Sequence, residues 1–587
     1  MKQKKIWRLL PLQFIVALLP LITYYYRGNS GYGSYGWHSL DDTYHDFFLH
    51  YKMICFIVIA AVMLVAAFFI QKKKGNAQWK KLLFSFAPLL VYLFFVILST
   101  AFSKNHALSF LGAMEQQEPF PVLLGYVVTA VYAWLVIEKE EDMQSLADAA
   151  LLGGAAMALL GVLQAAGKDP LAKEWVQRLI ADDAVLEQYG LFVLRFPKGQ
   201  AYGTLFNPNY VGSYVPLYAP LLIFGAIMGK SLWKRIACIA SAIGLVVMLF
   251  ASQSRTGMIS LAAVIVVLVV FSAPYVLRYW YAVTGAVVLL AGGFLLFDWQ
   301  QDFLMMGRLK EMFEIQKEDY VLKGIDTTGN GVRVVYKDTE FTVQMPVTGE
   351  DFAYVVTENG ESLSVTYSED RAWGYATLKS GEEISIQTAI YEDYYAFGLP
   401  LDNRTWYFTN QIERGNYKFI TDTGKIDECQ MAANALPGYE ALADARGYVW
   451  GRTIPLFKKH FFIGSGPDTF AVTFPQNDYV ARYRVSPEGI IYTRPHNLYL
   501  QMALQTGVIS LAAFLVFYIM YALECCKLYF ARKFSRGIEW MGFAIFLGTV
   551  GFLAAGLAND SLIVVSPVFY LMLGAGKAVN QMQRERK

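Results

Sequence analysis

The chain has 587 residues, of which 55% are hydrophobic and 17% charged, with a formal net charge of +2 and a mean hydropathy of +0.35. This balance excludes a water-soluble enzyme and describes a membrane protein, because the apolar residues come in blocks of roughly 18–22, enough to cross a bilayer as helices. The small net charge identifies no partner, since opposite charges are sorted into different loops, and no nucleic acid is expected.

At the N-terminus, "MKQKKIWRLLPLQFIVALLPLITYYY" has a basic start and an apolar run but no small-residue cleavage site, so it reads as an uncleaved first span. In all, about 12 spans are expected, starting near residues 6, 52, 82, 120, 148, 208, 236, 257, 280, 498, 538 and 560. Lys2, Lys4, Lys5 and Arg8 precede the first span, and Lys72, Lys73, Lys74, Lys80 and Lys81 lie between the second and third. Lys230, Lys234 and Arg235 separate six from seven, and Arg278 separates eight from nine. Lys527, Arg532, Lys533 and Arg536 separate ten from eleven, and Arg584, Arg586 and Lys587 end the chain. With both termini cytoplasmic, every cluster falls on one side, and only the acidic "EKEEDM" loop fits poorly.

The outer side then receives "RGNSGYGSYGWHSLDDTYHD", residues 167–207, the turn "SQSRTG" and one long loop between the ninth and tenth spans. The expected fold is therefore an α-helical polytopic membrane protein with a β-rich domain in that loop. Residues 1–298 form an N-terminal membrane domain, 299–497 the extracytoplasmic loop and 498–587 a C-terminal membrane domain. Within the loop, about 320–423 alternates in short stretches such as "VRVVYKDTEFTVQM", separated by Asn-Gly and Thr-Gly turns, which predicts a β-sandwich or meander. The flanks "FLMMGRLKEMFEIQK" and "YEALADARGYVWGRTIPLFKKHFF" have helical periodicity, as helices near the membrane surface do, and further helices are expected through about 435–497. Of the five cysteines only Cys429 lies in this segment, so no disulfide framework is available to it. The six histidines show no metal-ligand spacing, and neither metal nor cofactor is expected.

Chemistry concentrates in four stretches. In "SQSRTG", Arg255 occupies an outer turn where the positive-inside rule argues against a cation. It either snorkels to lipid phosphate or holds a substrate phosphate in its planar fork. "GQAYGTLFNPNYVGSYVPL" opens the sixth span, with Asn207, Pro208 and Asn209 as a turn and helix start that caps amides or receives an anion. "ARGYVWGRTIPLFKKHFFIGSGPDTFAV" carries Arg446 and Arg452, with Arg446 and Trp450 on one helix face. Its "GSG" allows a phosphate-cradling turn, although a lone G-x-G is weak. "TRPHN" carries Arg494 and His496, and the histidine is either an interfacial anchor or a base near neutral pH.

Taken in order, these stretches resemble the O-antigen ligase and polymerase superfamily of bacterial membrane glycosyltransferases. The resemblance covers about 203–507 without the β-rich insert. It rests on Gly203, Thr204, Asn207, Pro208, Asn209 and Gly212, then Ser252, Ser254 and Arg255. It continues through Arg446 and Trp450, the turn Gly464, Gly466, Pro467 and Phe470, and finally His496, Asn497, Leu500 and Gly507. His460 departs from the family pattern, being followed by Phe461 instead of proline, and receives no catalytic role. The resemblance implies a metal-independent, inverting glycosyltransferase of cell-surface polysaccharide assembly at the outer face of the bacterial plasma membrane. Its donor would be a polyprenyl-pyrophosphate-linked (undecaprenyl-type) glycan and its acceptor a glycan or other hydroxyl. Arg255, Arg446, Arg452 and Arg494 would face the pyrophosphate, His496 would act as base, and Asn207, Asn209, Asn497 and Ser254 would support them. A transporter and a glycan-binding scaffold are the competing readings. A carrier usually places ionisable groups at mid-bilayer, and few charges fall there.

Overall fold

The computed structural model describes residues 7–586 apart from 40, 75, 195, 230, 279, 301–305, 308–316, 347–352, 414–415, 487–489 and 535–536. The basic residues Lys2, Lys4, Lys5, Lys230, Arg536 and Lys587 and most of the helical reading of 303–317 lie outside the described residues.

The first half is helical: α1 (Leu10–Ala17), a β1–β2 hairpin (Tyr26–Asn29, Thr43–Asp46), α2 (His50–Lys74), α3 (Asn76–Ala101), α4 (His106–Leu111), α5 (Phe120–Val136) and α6 (Glu140–Ala165). Two short helices, α7 (Glu174–Ile180) and α8 (Asp183–Tyr189), precede α9 (Pro208–Met228), α10 (Leu232–Ser252), α11 (Arg255–Phe271), α12 (Ala273–Arg278) and α13 (Trp280–Gln300). After strands β3 to β14 come α14 (Leu442–His460), α15 (Phe470–Thr473), α16 (Tyr479–Val485), α17 (Leu498–Thr506), α18 (Val508–Tyr529), α19 (Gly537–Ala555) and α20 (Ser566–Glu585). Among the described residues 7 helices, α2, α3, α6, α9, α10, α18 and α19, are long and apolar enough to cross a membrane. The α1 region, α5 and α11 are shorter apolar helices, and α13 and α20 stand where the ninth and twelfth spans were expected.

Two expected boundaries move. The span predicted from near 498 is broken at Gly507, whose φ of +94° is open to glycine and strained for other residues. A Cβ there would lie 2.8 Å from the Phe462 carbonyl carbon, so the break is also a point of close chain packing. The last span, predicted from near 560, begins at Ser566. Residues 556–565 instead form a non-helical loop at the bundle end, in which Asn559 and Asp560 are buried.

Ion pairs tie members of three of the predicted basic clusters to neighbouring helix ends at one end of the bundle. Lys81 meets Glu585 at 3.4 Å, Arg586 meets Glu140 at 3.7 Å, Arg584 meets Glu524 at 3.3 Å, and Lys234 pairs with Asp148. At the opposite end the starts of α9 and α11 and the ends of α10 and α19 come together. Gly212 makes this possible, because a Cβ at that position would lie 2.7 Å from the Gly257 Cα, and small residues let helix backbones approach closely.

The β-rich region is a sandwich of two antiparallel meanders. Five strands run β3-β4-β5-β6-β7 (Leu322–Thr328, Gly331–Tyr336, Thr339–Gln344, Val355–Glu358, Glu361–Leu363). Seven run β14-β13-β12-β11-β10-β9-β8 (from β8, Val365–Tyr367, Trp373–Thr377, Glu383–Tyr391, Tyr394–Leu401, Arg404–Glu413, Asn416–Ile420 and Ile426–Asp427). Alternation builds the shared core: Val332, Val334, Phe341 and Val343 from one sheet meet Ile386, Phe397, Phe408 and Phe419 from the other. Asn359 and Gly360, both at positive φ, join β6 to β7 in the two-residue turn whose twist suits a hairpin. The strands run four residues beyond the predicted limit of 423, because the turn after Thr421 returns Ile426 to pair with Ile420. The β1–β2 hairpin had no counterpart in the sequence reading. Its loop docks on the sandwich, where Lys425 donates to the Gly33 carbonyl at 3.0 Å and Trp37 packs on the sandwich core.

Candidate functional site

Two helix starts frame the site. Asn207 caps α9, its side chain accepting from the Asn209 amide at 2.9 Å, with Pro208 at the first turn where a missing N–H costs nothing. Ser254 caps α11, accepting from the Gly257 amide at 3.2 Å. Its hydroxyl also donates to the Asn209 carbonyl at 3.4 Å, which ties the two starts together. Arg255 follows as the first residue of α11.

The third wall is α14. Ala443, Asp444 and Ala445 have φ of 52°, 67° and 63°, so three consecutive residues that are not glycine sit in the left-handed region ahead of Arg446. Phe206, Gln253 and His496 share that conformation, at 70°, 58° and 51°. Such strain persists only where surrounding structure enforces it, and it concentrates at functional sites. Between these walls lies a cavity of about 370 Å³ lined by Gln200, Asn207, Asn209, Arg255, Asp444 and Arg446 among others. Arg446 donates from Nη1 to the Ala443 carbonyl at 2.9 Å, and its buried Nε has no hydrogen-bond partner. Burial holds the Arg446 pKa below its ordinary value against the pull of Asp444 and Asp560, and the like charge of Arg255 adds to the depression. An anion in the cavity would relieve both deficits.

His496 is fastened beside this wall. One turn along α14, the Trp450 indole donates to the Pro495 carbonyl at 2.9 Å. His496 Nδ1 meets Asp560 Oδ2 at 3.2 Å, with the histidine side chain 39% exposed and the aspartate fully buried. Asp560 also accepts from the Asn497 amide at 3.1 Å. Although burial opposes it, the hydrogen bond and charge of His496 hold the Asp560 carboxyl below the usual carboxylate range, helped by Arg494. Asn497 caps α17 through the Tyr499 and Leu500 amides and donates to the Leu557 carbonyl at 2.8 Å. Asn559 donates to the Asn209 carbonyl at 2.9 Å, closing the ring between the 556–565 loop and α9. Asp560 and Asn559 escaped the sequence reading. Their signal was "AND" interrupting an otherwise apolar run, where an ionisable residue is a functional candidate by default.

Of the four arginines expected on a pyrophosphate, Arg255 and Arg446 line the cavity and the other two do not. Arg494 lies behind His496, donating to the Tyr210 hydroxyl at 2.8 Å, meeting Glu115 at 3.5 Å and covering the Phe206 ring. Arg452 is buried between Asp478 at 2.8 Å and Glu440 at 3.3 Å, 4.5 Å above the Tyr448 ring. Six positions separate it from Arg446, which turns it to another helix face. Arg452→Ala leaves two buried carboxylates without their cation, a loss of about 3–5 kcal/mol. A lowered melting temperature of the solubilised protein, with normal specific activity in the folded fraction, is the expected result.

The "GSG" turn is not a phosphate cradle. The Ser465 and Gly466 amides donate to the Leu504 and Gln505 carbonyls at 2.9 and 3.0 Å, satisfying the end of α17. Asp468 in the same stretch accepts from the Ala113 and Glu118 amides. His460, given no role, offers its carbonyl to the Gly464 amide at 3.0 Å. Among the described residues no three His, Cys, Asp or Glu side chains cluster as a metal ion would need.

Comparison with curated proteins and with solved structures gives no match. A family model described as O-antigen ligase matches residues 422–515. The matched stretch contains Arg446, Arg452, Arg494, His496 and Asn497, whereas Asn207, Arg255 and Asp560 come to the same site from outside it. Over that stretch the chain is similar to the O-antigen ligase family, and the stretch belongs to a chain with several helices long and apolar enough to cross a membrane.

Proposed function

We propose that the chain is an inverting membrane glycosyltransferase that moves a polyprenyl-pyrophosphate-linked glycan onto an acceptor hydroxyl at the outer face of a bacterial cytoplasmic membrane. The observation that carries this reading is the His496–Asp560 pair set beside a cavity lined by Arg255 and Arg446. The sidedness rests on Lys81, Lys234, Arg584 and Arg586, members of the basic clusters at the other end of the bundle, which the positive-inside rule assigns to the cytoplasm.

Each group has one task. Asp560 accepts the Nδ1 proton of His496, which leaves the Nε2 lone pair to take a proton. The acceptor oxygen attacks the anomeric carbon, its proton passes to Nε2, and the bond from that carbon to the pyrophosphate oxygen breaks. The electron pair leaves with the pyrophosphate. Arg255 and Arg446 stabilise the charge that develops there, and the low-dielectric wall around Arg446 strengthens the effect. Displacement from the face opposite the leaving group inverts the carbon.

Purified protein in detergent, given a synthetic polyprenyl-pyrophosphate oligosaccharide and a hydroxyl acceptor, is expected to form a glycosidic product of inverted configuration without any ion gradient. Product mass and anomeric coupling constants read this out. No turnover in detergent, together with gradient-driven movement of the same compound in vesicles, would replace the enzyme by a carrier.

A further inference from the structure

A second cavity lies on the other side of residues that line the first and has its own chemistry. It measures about 420 Å³ and shares Phe196 and Gln200 with the arginine-lined cavity. Lys168, Lys173 and Lys198 line it together with the rings of Phe192, Phe196 and Tyr202. Phe196 and Tyr202 are stacked at 4.0 Å.

The three lysines outnumber the single carboxylate in the cavity wall, Asp169. Asp169, the carboxylate in this wall, is already engaged by Gln164 at 3.2 Å, the Leu171 amide at 3.0 Å and the Tyr202 hydroxyl. Of the acidic residues on α7, on α8 and just before α8, Glu174 and Asp183 pair with Arg178, Asp182 accepts from Tyr24, and Glu187 does not line the cavity. Among the described residues no ion pair is made by the three lysines. Lys198 is also placed by the backbone. Gly167 has a φ of +69°, which favours glycine, and the Lys198 side chain lies over it, its Cε 2.8 Å from where a Cβ would stand.

Resting on the glycosyl-transfer reading, we propose that this side cavity is a subsite for an anionic sugar of the glycan, one bearing a carboxylate or a phosphate, next to the reacting centre. Ring faces suit the apolar face of a sugar and ammonium groups suit its charge. Adjacency to the arginine cavity, with which it shares Phe196 and Gln200, favours a glycan over a lipid headgroup, because a sugar chain held at the reacting centre would extend toward this neighbouring wall. The protein would thereby prefer acidic repeat units.

The test uses full-length protein in phosphatidylcholine nanodiscs and fluorescent trigalacturonate, its carboxyl-reduced neutral counterpart and a glycerol-phosphate trimer. Trigalacturonate or the phosphate trimer is expected to bind with a salt-sensitive Kd, and the anion that binds names the charged group. The variant K168Q/K173Q/K198Q is expected to weaken that binding about tenfold, and Lys198→Gln alone by less. Equal binding of the neutral sugar, unchanged binding by the triple variant, or lysine dependence seen only with phosphatidylglycerol vesicles would each overturn the proposal. His496→Asn should bind the anionic probe normally while failing in transfer. Lysine-dependent binding in a protein that never transfers glycan would therefore retire the enzyme reading and keep the subsite, and transfer without such binding would do the reverse.

Discussion

Replacing His496 by alanine is expected to lower the proposed glycan transfer by about 10²–10⁴-fold, the contribution of a well-placed general base, while the protein still inserts and folds. The imidazole is 39% exposed, so its removal opens no core cavity. Two local costs accompany the loss. Asp560 is buried and would lose its cationic or N–H partner, and alanine tolerates the φ of 51° poorly. His496→Asn separates these effects from catalysis, since asparagine adopts the left-handed conformation readily and its amide can donate toward Asp560. Asparagine carries no basic nitrogen. The asparagine variant is therefore expected to melt like the parent and to be as inactive as the alanine variant. Transfer rates within a few-fold of the parent for both would remove His496 from the chemistry.

Replacing Arg446 by alanine is expected to reduce kcat by about 10²–10³-fold, the usual worth of one donor aimed at developing charge. On the proposed mechanism the effect should fall on kcat more than on KM, because charge on a pyrophosphate leaving group would grow as its bond breaks. Arg446→Lys should recover part of the loss, for ammonium supplies charge without the planar fork. Stability should change little, since Arg446 makes one hydrogen bond, to the Ala443 carbonyl, and its Nε makes none. The contrast with Arg452 is diagnostic: one arginine is short of partners beside a cavity, the other is saturated by two carboxylates. Steady-state kinetics and melting curves on the two alanine variants should show opposite patterns. A large stability loss at Arg446 with kcat preserved would count against its place on the leaving group.

Local rules made much of this molecule legible. Runs of apolar residues marked the helices, and alternation with positive-φ turns marked the sandwich, because hydropathy period and turn chemistry are properties of neighbouring residues. The helix starts at Asn207 and Ser254 follow from the same logic, since a cap serves amides two or three positions away.

The allocation of charge could not be read that way. Arg446, Arg452 and Arg494 are equally cationic in the sequence, and only the packing of α14 against Glu440 and Asp478, and of Arg494 against Tyr210 and Glu115, decides which of them faces the cavity. Asp560 becomes the partner of His496 because α19 ends before it and turns the chain back to the start of α17. The sequence by itself therefore marked the long apolar helices, the β-rich region and the residue types on offer for chemistry. The tertiary structure decided which of those residues meet, because a buried charge is committed to whichever opposite charge the fold brings within a few ångströms of it.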